Sequence, residues 1–381
     1  ERLSAALESG QIREPFERAR PQDVWYQRGR EALRTYRAIA AAGGWSPISD
    51  GPTMKLGLDD PRVPALRYRL TVTGDLAGDL LPPAPPMNLA FDTELEAAVK
   101  RFQERHGLTA DGAVGPGTRA ALNVPVSARI DQIRINLERG RWVLHEIQGE
   151  FVLVNVAGFD VAYFRDNEPI WTSKVIVGRP YRETPIFRSM ITYVVVNPTW
   201  TIPPGILVKD KLPVIKRDPR YLKRNNIRVI DSAGREVNPY SVDWSRYSGG
   251  RLPPYQLRQD PGDDNALGLV KIMFPNPYLV YLHDTPSKSL FDKDERIFSS
   301  GCIRVEKAFE LAELVLNDPV RWNRAALDAA VATKKTQTVN LARPVPVLIL
   351  YWTAQPRPDG QVIFRNDVYG RDPATLAALN G

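Results

Sequence analysis

The chain contains one cysteine, Cys302, within Ser299-Ser300-Gly301-Cys302-Ile303-Arg304. It follows by nineteen positions His283, the last residue of the apolar run Tyr278-Leu279-Val280-Tyr281-Leu282-His283. A thiol and an imidazole are the parts of nucleophilic acyl transfer, in which the thiolate attacks and the imidazole moves its proton. Ser300 and Gly301 suit a tight turn whose backbone N–H groups, with that of Cys302, converge on a reacting carbonyl oxygen. Val305, Ala308, Phe309, Ala312, Val315 and Leu316 recur at helical spacing, so a helix is expected directly after the cysteine. Its N-terminus and Arg304 would both favour the thiolate.

Two other fates for the cysteine are weighed. Free cysteine is often an inert, buried small hydrophobe; Gly301, two serines and Arg304 are poor company for such a position. A zinc site needs three or four protein ligands. Cys302 and His283 supply two and Asp284 a third, while the other histidines stand at 106 and 145 with no second cluster.

The elements that must position this pair are legible from period and breakers. Strands are expected at Phe151–Val156, Val161–Phe164, Trp171–Val177 and Ile191–Val196, with turns at Gly158, Asp166-Asn167 and Gly178-Arg179-Pro180, giving a mainly antiparallel sheet. Between Pro203 and Gly268 prolines, charges and Gly249-Gly250 interrupt any period, which marks an inserted lid or a structural excursion. Arg324–Val331 adds a helical turn or two, and Val345–Thr353 with Gln361–Phe364 reads as a hairpin around Pro358-Asp359-Gly360.

Upstream the chain is helical. Tyr26, Leu33, Tyr36 and Ala40 mark a first helix stopped by Gly43-Gly44 and Pro47. A second starts at Pro64, and Pro82–Pro86 is a rigid loop. A third runs from an Asp92 N-cap to His106, burying Leu95, Ala98, Val99 and Phe102. A short one passes through Thr118, Ala121 and Leu122, and another over Ser127–Trp142 carries Ile130, Ile133, Leu137 and Trp142.

With 381 residues the chain exceeds one hydrophobic core, and no run approaches the ~18 apolar residues of a membrane span. Net charge is +7, spread without a basic stripe, which speaks against nucleic acid; it suits an anionic polymer or a plainly solvated surface. Glu1-Arg2-Leu3-Ser4 opens into polar sequence without a signal peptide, and a chain starting with Glu is read as processed or trimmed. A single cysteine is compatible with an oxidising compartment where a thiol must stay unpaired.

Residues 50–123 resemble the small three-helix peptidoglycan-binding domain through Gly107-Leu108, Asp111-Gly112 and Val114-Gly115. His283-Asp284-Thr285-Pro286 and Ser299–Arg304 resemble the L,D-transpeptidases of the YkuD-domain superfamily. Thr184-Pro185, Asn197-Pro198-Thr199-Trp200, Ile202-Pro203-Pro204 and Phe364–Asp372 fit its large periplasmic Gram-negative branch. Ser300 departs from the pattern, since many members carry histidine there, so His283 stands as the sole base.

The resemblance implies an α+β fold: a mainly antiparallel, β-sandwich-like catalytic domain with an inserted capping subdomain, an α-helical scaffold and the small three-helix domain. The expected divisions are 1–49 scaffold arm, 50–123 peptidoglycan-binding-like domain, 124–149 linking helix, 150–335 catalytic domain with 203–268 inserted, and 336–381 C-terminal hairpin and tail. It implies a periplasmic enzyme without cofactor or metal that moves an acyl group from a stem tetrapeptide, at the diaminopimelate–D-alanine bond, to a diaminopimelate side-chain amine, forming 3→3 cross-links. Hydrolysis, carboxypeptidase action and lipoprotein attachment by the same thiol stay open, as does a non-enzymatic wall-binding scaffold. Its partners would be peptidoglycan stem peptides, with carbapenem-type inhibitors as covalent ligands. Papain-like hydrolases place cysteine before histidine, the reverse of the order here. Substrate contacts are expected from Arg304, Ser299, Tyr281, Trp200 and Asp284. Arg304 would hold a substrate carboxylate or pair with a structural acid, and Tyr281 and Trp200 would line a groove or pack in a core. The second nitrogen of His283 would donate to Asp284, Ser299 or a backbone carbonyl.

Overall fold

The computed structural model describes residues 21–78, 88–144, 149–247 and 250–381. The Pro82–Pro86 loop, His145, Gly249 and the first residues of the N-terminal helical stretch lie outside them. The chain divides into two compact units, Glu1–Ile147 with Tyr351–Gly381, and Gln148–Leu350. No helix among the described residues is long and apolar enough to cross a membrane.

In the first unit, α1 (Val24–Ala41) is capped by Asp23, whose carboxylate accepts from the Trp25 N–H at 2.7 Å. It stops where Gly43 and Gly44 take φ of +101° and +66°, a region that favours glycine. α2 (Val63–Val72), α3 (Thr93–Arg105) and α4 (Pro116–Leu122) bury Leu66, Leu70, Leu95, Val99, Phe102 and Leu122 in one core. Asp92 caps α3 through the Leu95 N–H, as its position predicts. α5 (Val126–Val143) packs Ile133 and Leu137 against Tyr26 and Tyr36 of α1. Trp142, assigned by spacing to the same helix, is 61% exposed and donates its indole N–H to Glu138 instead. The hairpin of this unit pairs Ala354–Pro356 with Val362–Phe364.

The second unit is built on strands β1 (Phe151–Asn155), β2 (Asp160–Arg165), β3 (Glu168–Ile176) and β4 (Phe187–Val196). The insertion contributes β5 (Trp200–Thr201), β6 (Ile227–Ile230), β7 (Glu236–Val237) and β8 (Gln256–Gln259). Then follow β9 (Val270–Met273), β10 (Leu282–His283), β11 (Ile303–Val305), helices α6 (Ala308–Leu316) and α7 (Arg324–Ala332), and β12 (Gln337–Leu350). The main sheet closes into a barrel in the order β1-β12-β4-β9-β10-β11-β3-β2, where the sequence suggested a sandwich-like arrangement. Its pairs are antiparallel except β1 with β12 and β10 with β11. Closure depends on β12, which pairs on both sides, with β1 and with β4. Val345–Leu350 is therefore barrel strand and not one arm of a terminal hairpin, and a division at residue 335 cuts the barrel open.

The insertion makes its own four-stranded sheet, β5-β8-β6-β7, over a core that includes Trp200, Leu212, Ile215, Leu222, Trp244 and Leu257.

Candidate active site

Alternation along three short strands sorts the site residues onto one face. Val270 and Ile272 of β9, Leu282 of β10, and Ile303 and Val305 of β11 are buried on one side. Lys271, His283 and Arg304 therefore lie on the other, since successive side chains alternate across a strand. Register pairs Leu282 with Ile303 and His283 with Arg304 in parallel, and the Ile303 N–H donates to the Tyr281 carbonyl at 3.1 Å. Tyr281 and Cys302 thus continue the same face one step back, and Cys302 stands diagonally across from His283. That diagonal amounts to about 8 Å between Cα atoms, close enough for the two side chains to lean together.

The expected helix start at Cys302 is replaced by β11, with α6 beginning at Ala308. Among the described residues no helix N-terminus adjoins the thiol. Val305 fits a three-and-four spacing and an alternating one equally, and strand pairing on both sides of β11 decides between them.

The nucleophile turn is braced from two directions. Ser299, 2% exposed, accepts from the Gly301 N–H at 3.1 Å and donates to the Cys302 carbonyl at 2.6 Å. Thr184, fully buried, accepts from the Gly178 N–H and donates to the Gly301 carbonyl, each at 2.9 Å. Gly301 sits at φ +112°, where a side chain would be strained. Ser299 accordingly braces the turn. The Gly301 N–H is already engaged, so among the expected oxyanion donors the N–H groups of Ser300 and Cys302 are the ones with no hydrogen bond among the described residues. Ser300 is exposed and its hydroxyl accepts from Arg182 at 2.8 Å; Arg182 also forms a two-pronged pair with Asp210 of the insertion, at 2.5 and 3.0 Å.

His283 is 3% exposed, and its Nδ1 donates to the Asp284 carbonyl oxygen at 2.5 Å. A backbone carbonyl thus orients the ring and leaves Nε2 as the basic nitrogen. The Asp284 carboxylate is spent elsewhere: it accepts from Lys288 at 2.5 Å and from the Leu269 N–H at 3.0 Å. Asp284 is a buried brace, contrary to its expected place among the substrate contacts. A Cβ at Gly268, where φ is +62°, would fall 2.3 Å from that carboxylate, so the approach requires glycine.

Cys302 is half-buried and its thiol donates to the Leu279 carbonyl at 3.7 Å. Burial pushes the thiol above its ordinary value; hydrogen bonds from Tyr281 and the charges of Lys271 and Arg304 pull the other way and do not prevail. His283 is held down at about 3, first by burial and then by the Arg304 charge, against the favourable carbonyls of Asp284 and Leu267. Burial thus favours the neutral thiol and the neutral imidazole, against the thiolate the sequence suggested.

Burial, and after it the charge of the Cys302 sulfur, push the Tyr281 hydroxyl above its ordinary value. Its ring stands edge-on to His283, with centroids 5.5 Å apart. Trp200 is 9% exposed in the insertion core, against which Tyr281 also packs. Arg304 is half-buried and forms no ion pair with a carboxylate among the described residues. Sequence reasoning passed over Lys271, whose Nζ lies 4.0 Å from the Tyr281 ring centroid. Alternation between the buried Val270 and Ile272 is the one signal that could have found it.

Residues 60–122 match the family described as "Putative peptidoglycan binding domain". A Haemophilus influenzae protein named "Putative L,D-transpeptidase" is 38% identical over 230 residues, 60% of this chain and 46% of that protein. The chain thus spans about half the length of that relative. Among solved structures, an L,D-transpeptidase from Xylanimonas cellulosilytica is 14% identical, covering 79% of this chain and 100% of its own, with a TM-score of 0.26. One from Stackebrandtia nassauensis is 14% identical, covering 80% and 97%, with a TM-score of 0.28; likenesses at these scores carry no weight. Residues 149–345 match the L,D-transpeptidase catalytic domain, and with more than half of its 381 residues inside that match the chain belongs to the L,D-transpeptidase family, YkuD type.

Proposed function

We propose that the chain is a peptidoglycan L,D-transpeptidase acting at the bacterial cell wall, in the periplasm, with Cys302 as nucleophile and His283 as general base. The observation that carries this is the shared face of β10 and β11, on which an Nδ1-anchored imidazole stands diagonally across from the chain's one thiol.

The thiol proton passes to His283 Nε2 as sulfur attacks the carbonyl between diaminopimelate and terminal D-alanine of a stem tetrapeptide. The oxyanion is held by the free N–H groups of the turn, those of Cys302 and Ser300. Collapse breaks the C–N bond, and the imidazolium returns its proton to the departing D-alanine amine. A diaminopimelate side-chain amine of a second stem then attacks the thioester, losing a proton to His283; the thiolate leaves and regains that proton. The result is a 3→3 cross-link. The donor bond supplies the acyl group's energy, so no step calls on a cofactor. The small helical domain would keep the enzyme on its polymer, and the insertion, tied to the turn by Arg182 and Asp210, would shield the thioester from water.

Incubation with a carbapenem, followed by intact-mass analysis, tests the pair. A single adduct is expected on Cys302, absent in Cys302→Ala and slowed by about a hundred-fold or more in His283→Ala. An unreactive thiol in the folded protein would refute the reading. Release of D-alanine with shortened stems and no dimers would select hydrolysis as the outcome, and a lipoprotein-linked product would select attachment.

A further inference from the structure

Lys271 has no place in the chemistry just described, yet it shares its face. It pairs in register with His283 across β9 and β10, its Nζ lies over the Tyr281 ring, and its charge acts on both Cys302 and His283. It is half-buried, and among the described residues no carboxylate or other hydrogen-bond acceptor reaches its ammonium. Arg304, one step away on β11, is likewise without an acid and is further opposed by the charge of Arg179. Each is a half-buried cation that forfeits hydration with no carboxylate to offset it, and the Cys302 sulfur, when ionised, is the group that favours the charge of both. A site that keeps them is completed by an anion.

We propose that Lys271, with Arg304, receives the terminal carboxylate of the donor peptide's leaving residue. This rests on the transpeptidase reading and adds a specificity element to it. Consecutive residues are about 3.8 Å apart, so a free carboxylate one residue beyond the scissile carbonyl falls within reach of cations flanking the thiol. An extended stem, or one whose end is amidated, would leave both cations unpaired. Lys271 is thereby a determinant of where the donor must end.

The test uses the full chain and two donors that differ only at the C-terminus, a tetrapeptide stem with a free carboxylate and the same stem as its carboxamide. The readout is the ratio of kcat/KM for D-alanine or D-alaninamide release. The native protein is expected to prefer the acid by about ten-fold or more, and Lys271→Met to bring the ratio near one through a raised KM for the acid alone. Lys271→Arg should keep most of the preference, and Lys271→Gln serves where Lys271→Met fails to fold. Equal losses on both donors would mean that Lys271 only tunes the thiol, and an unchanged ratio would mean that it does neither; both overturn the proposal. A native protein that processes both donors alike overturns this inference only, whereas one that processes neither overturns the transpeptidase reading.

Discussion

Burial favours the uncharged form of both Cys302 and His283, and this sets the response to pH expected of the proposed site. A base held at about 3 stays deprotonated through the neutral and mildly acid range. Acylation is therefore expected to show no inflection near pH 6.5 and to persist at pH 5, while alkylation of Cys302 by iodoacetamide should rise only into the alkaline range, because burial raises the thiol. A rate step between pH 6 and 7 would contradict this. Tyr281→Phe removes a hydroxyl that favours the thiolate and leaves the ring in place; the thiol should titrate higher still and acylation fall by about ten-fold, with melting little changed. Residue types and order alone single out Cys302 and His283 as the candidate pair. The protonation state could not be read from them, because it is set by burial against an insertion whose packing has no period. The bracing bonds of Ser299 and Asp284 are hidden for a related reason: polar residues beside a cysteine look alike in sequence whether they face ligand or brace backbone.

At the scale of elements, the turn before Cys302 is only as good as its braces. Thr184→Val keeps shape but loses both hydrogen bonds, from the Gly178 N–H and to the Gly301 carbonyl, and leaves buried backbone groups unpaired. A destabilisation of about 1–3 kcal/mol is expected by chemical denaturation, with acylation falling alongside. Unchanged stability would show that the turn holds without Thr184. Elements with strong local signals were legible: Asp92 and the buried face Leu95, Ala98, Val99 and Phe102 mark α3, and alternation marks β1 to β4. β11 was not, because three residues carry too little period to separate strand from helix. β12 was only half seen, since Arg343 and Pro344 interrupt it where its register shifts between Asn340 and Val345, and its parallel partner β1 lies far away in sequence.

For the whole molecule, the barrel defines what has to be kept. The family match ends at residue 345, but Val347–Leu350 pair with β1, so a fragment 149–345 is expected to lose cooperative unfolding and one ending at 350 to retain it. Among the described residues two buried histidines are pushed below their ordinary value, His283 in the barrel by burial and the Arg304 charge, and His106 in the helical unit by burial and neighbouring arginines. Both bind protons more readily when unfolded, so stability should be full above about pH 6.5 and decline as pH falls toward 3. His106→Phe, stacking as His106 now does on Phe102, should flatten that decline, and an unaltered slope would contradict the assignment.

The most direct measurement of the central claim is mass spectrometry of muropeptides after tetrapeptide-rich peptidoglycan is incubated with the protein and with Cys302→Ser. The native chain should release D-alanine and yield dimers joined through two diaminopimelate residues, and the variant should yield neither. Dimers formed by Cys302→Ser, or intact tetrapeptides after incubation with a folded native chain, would contradict it.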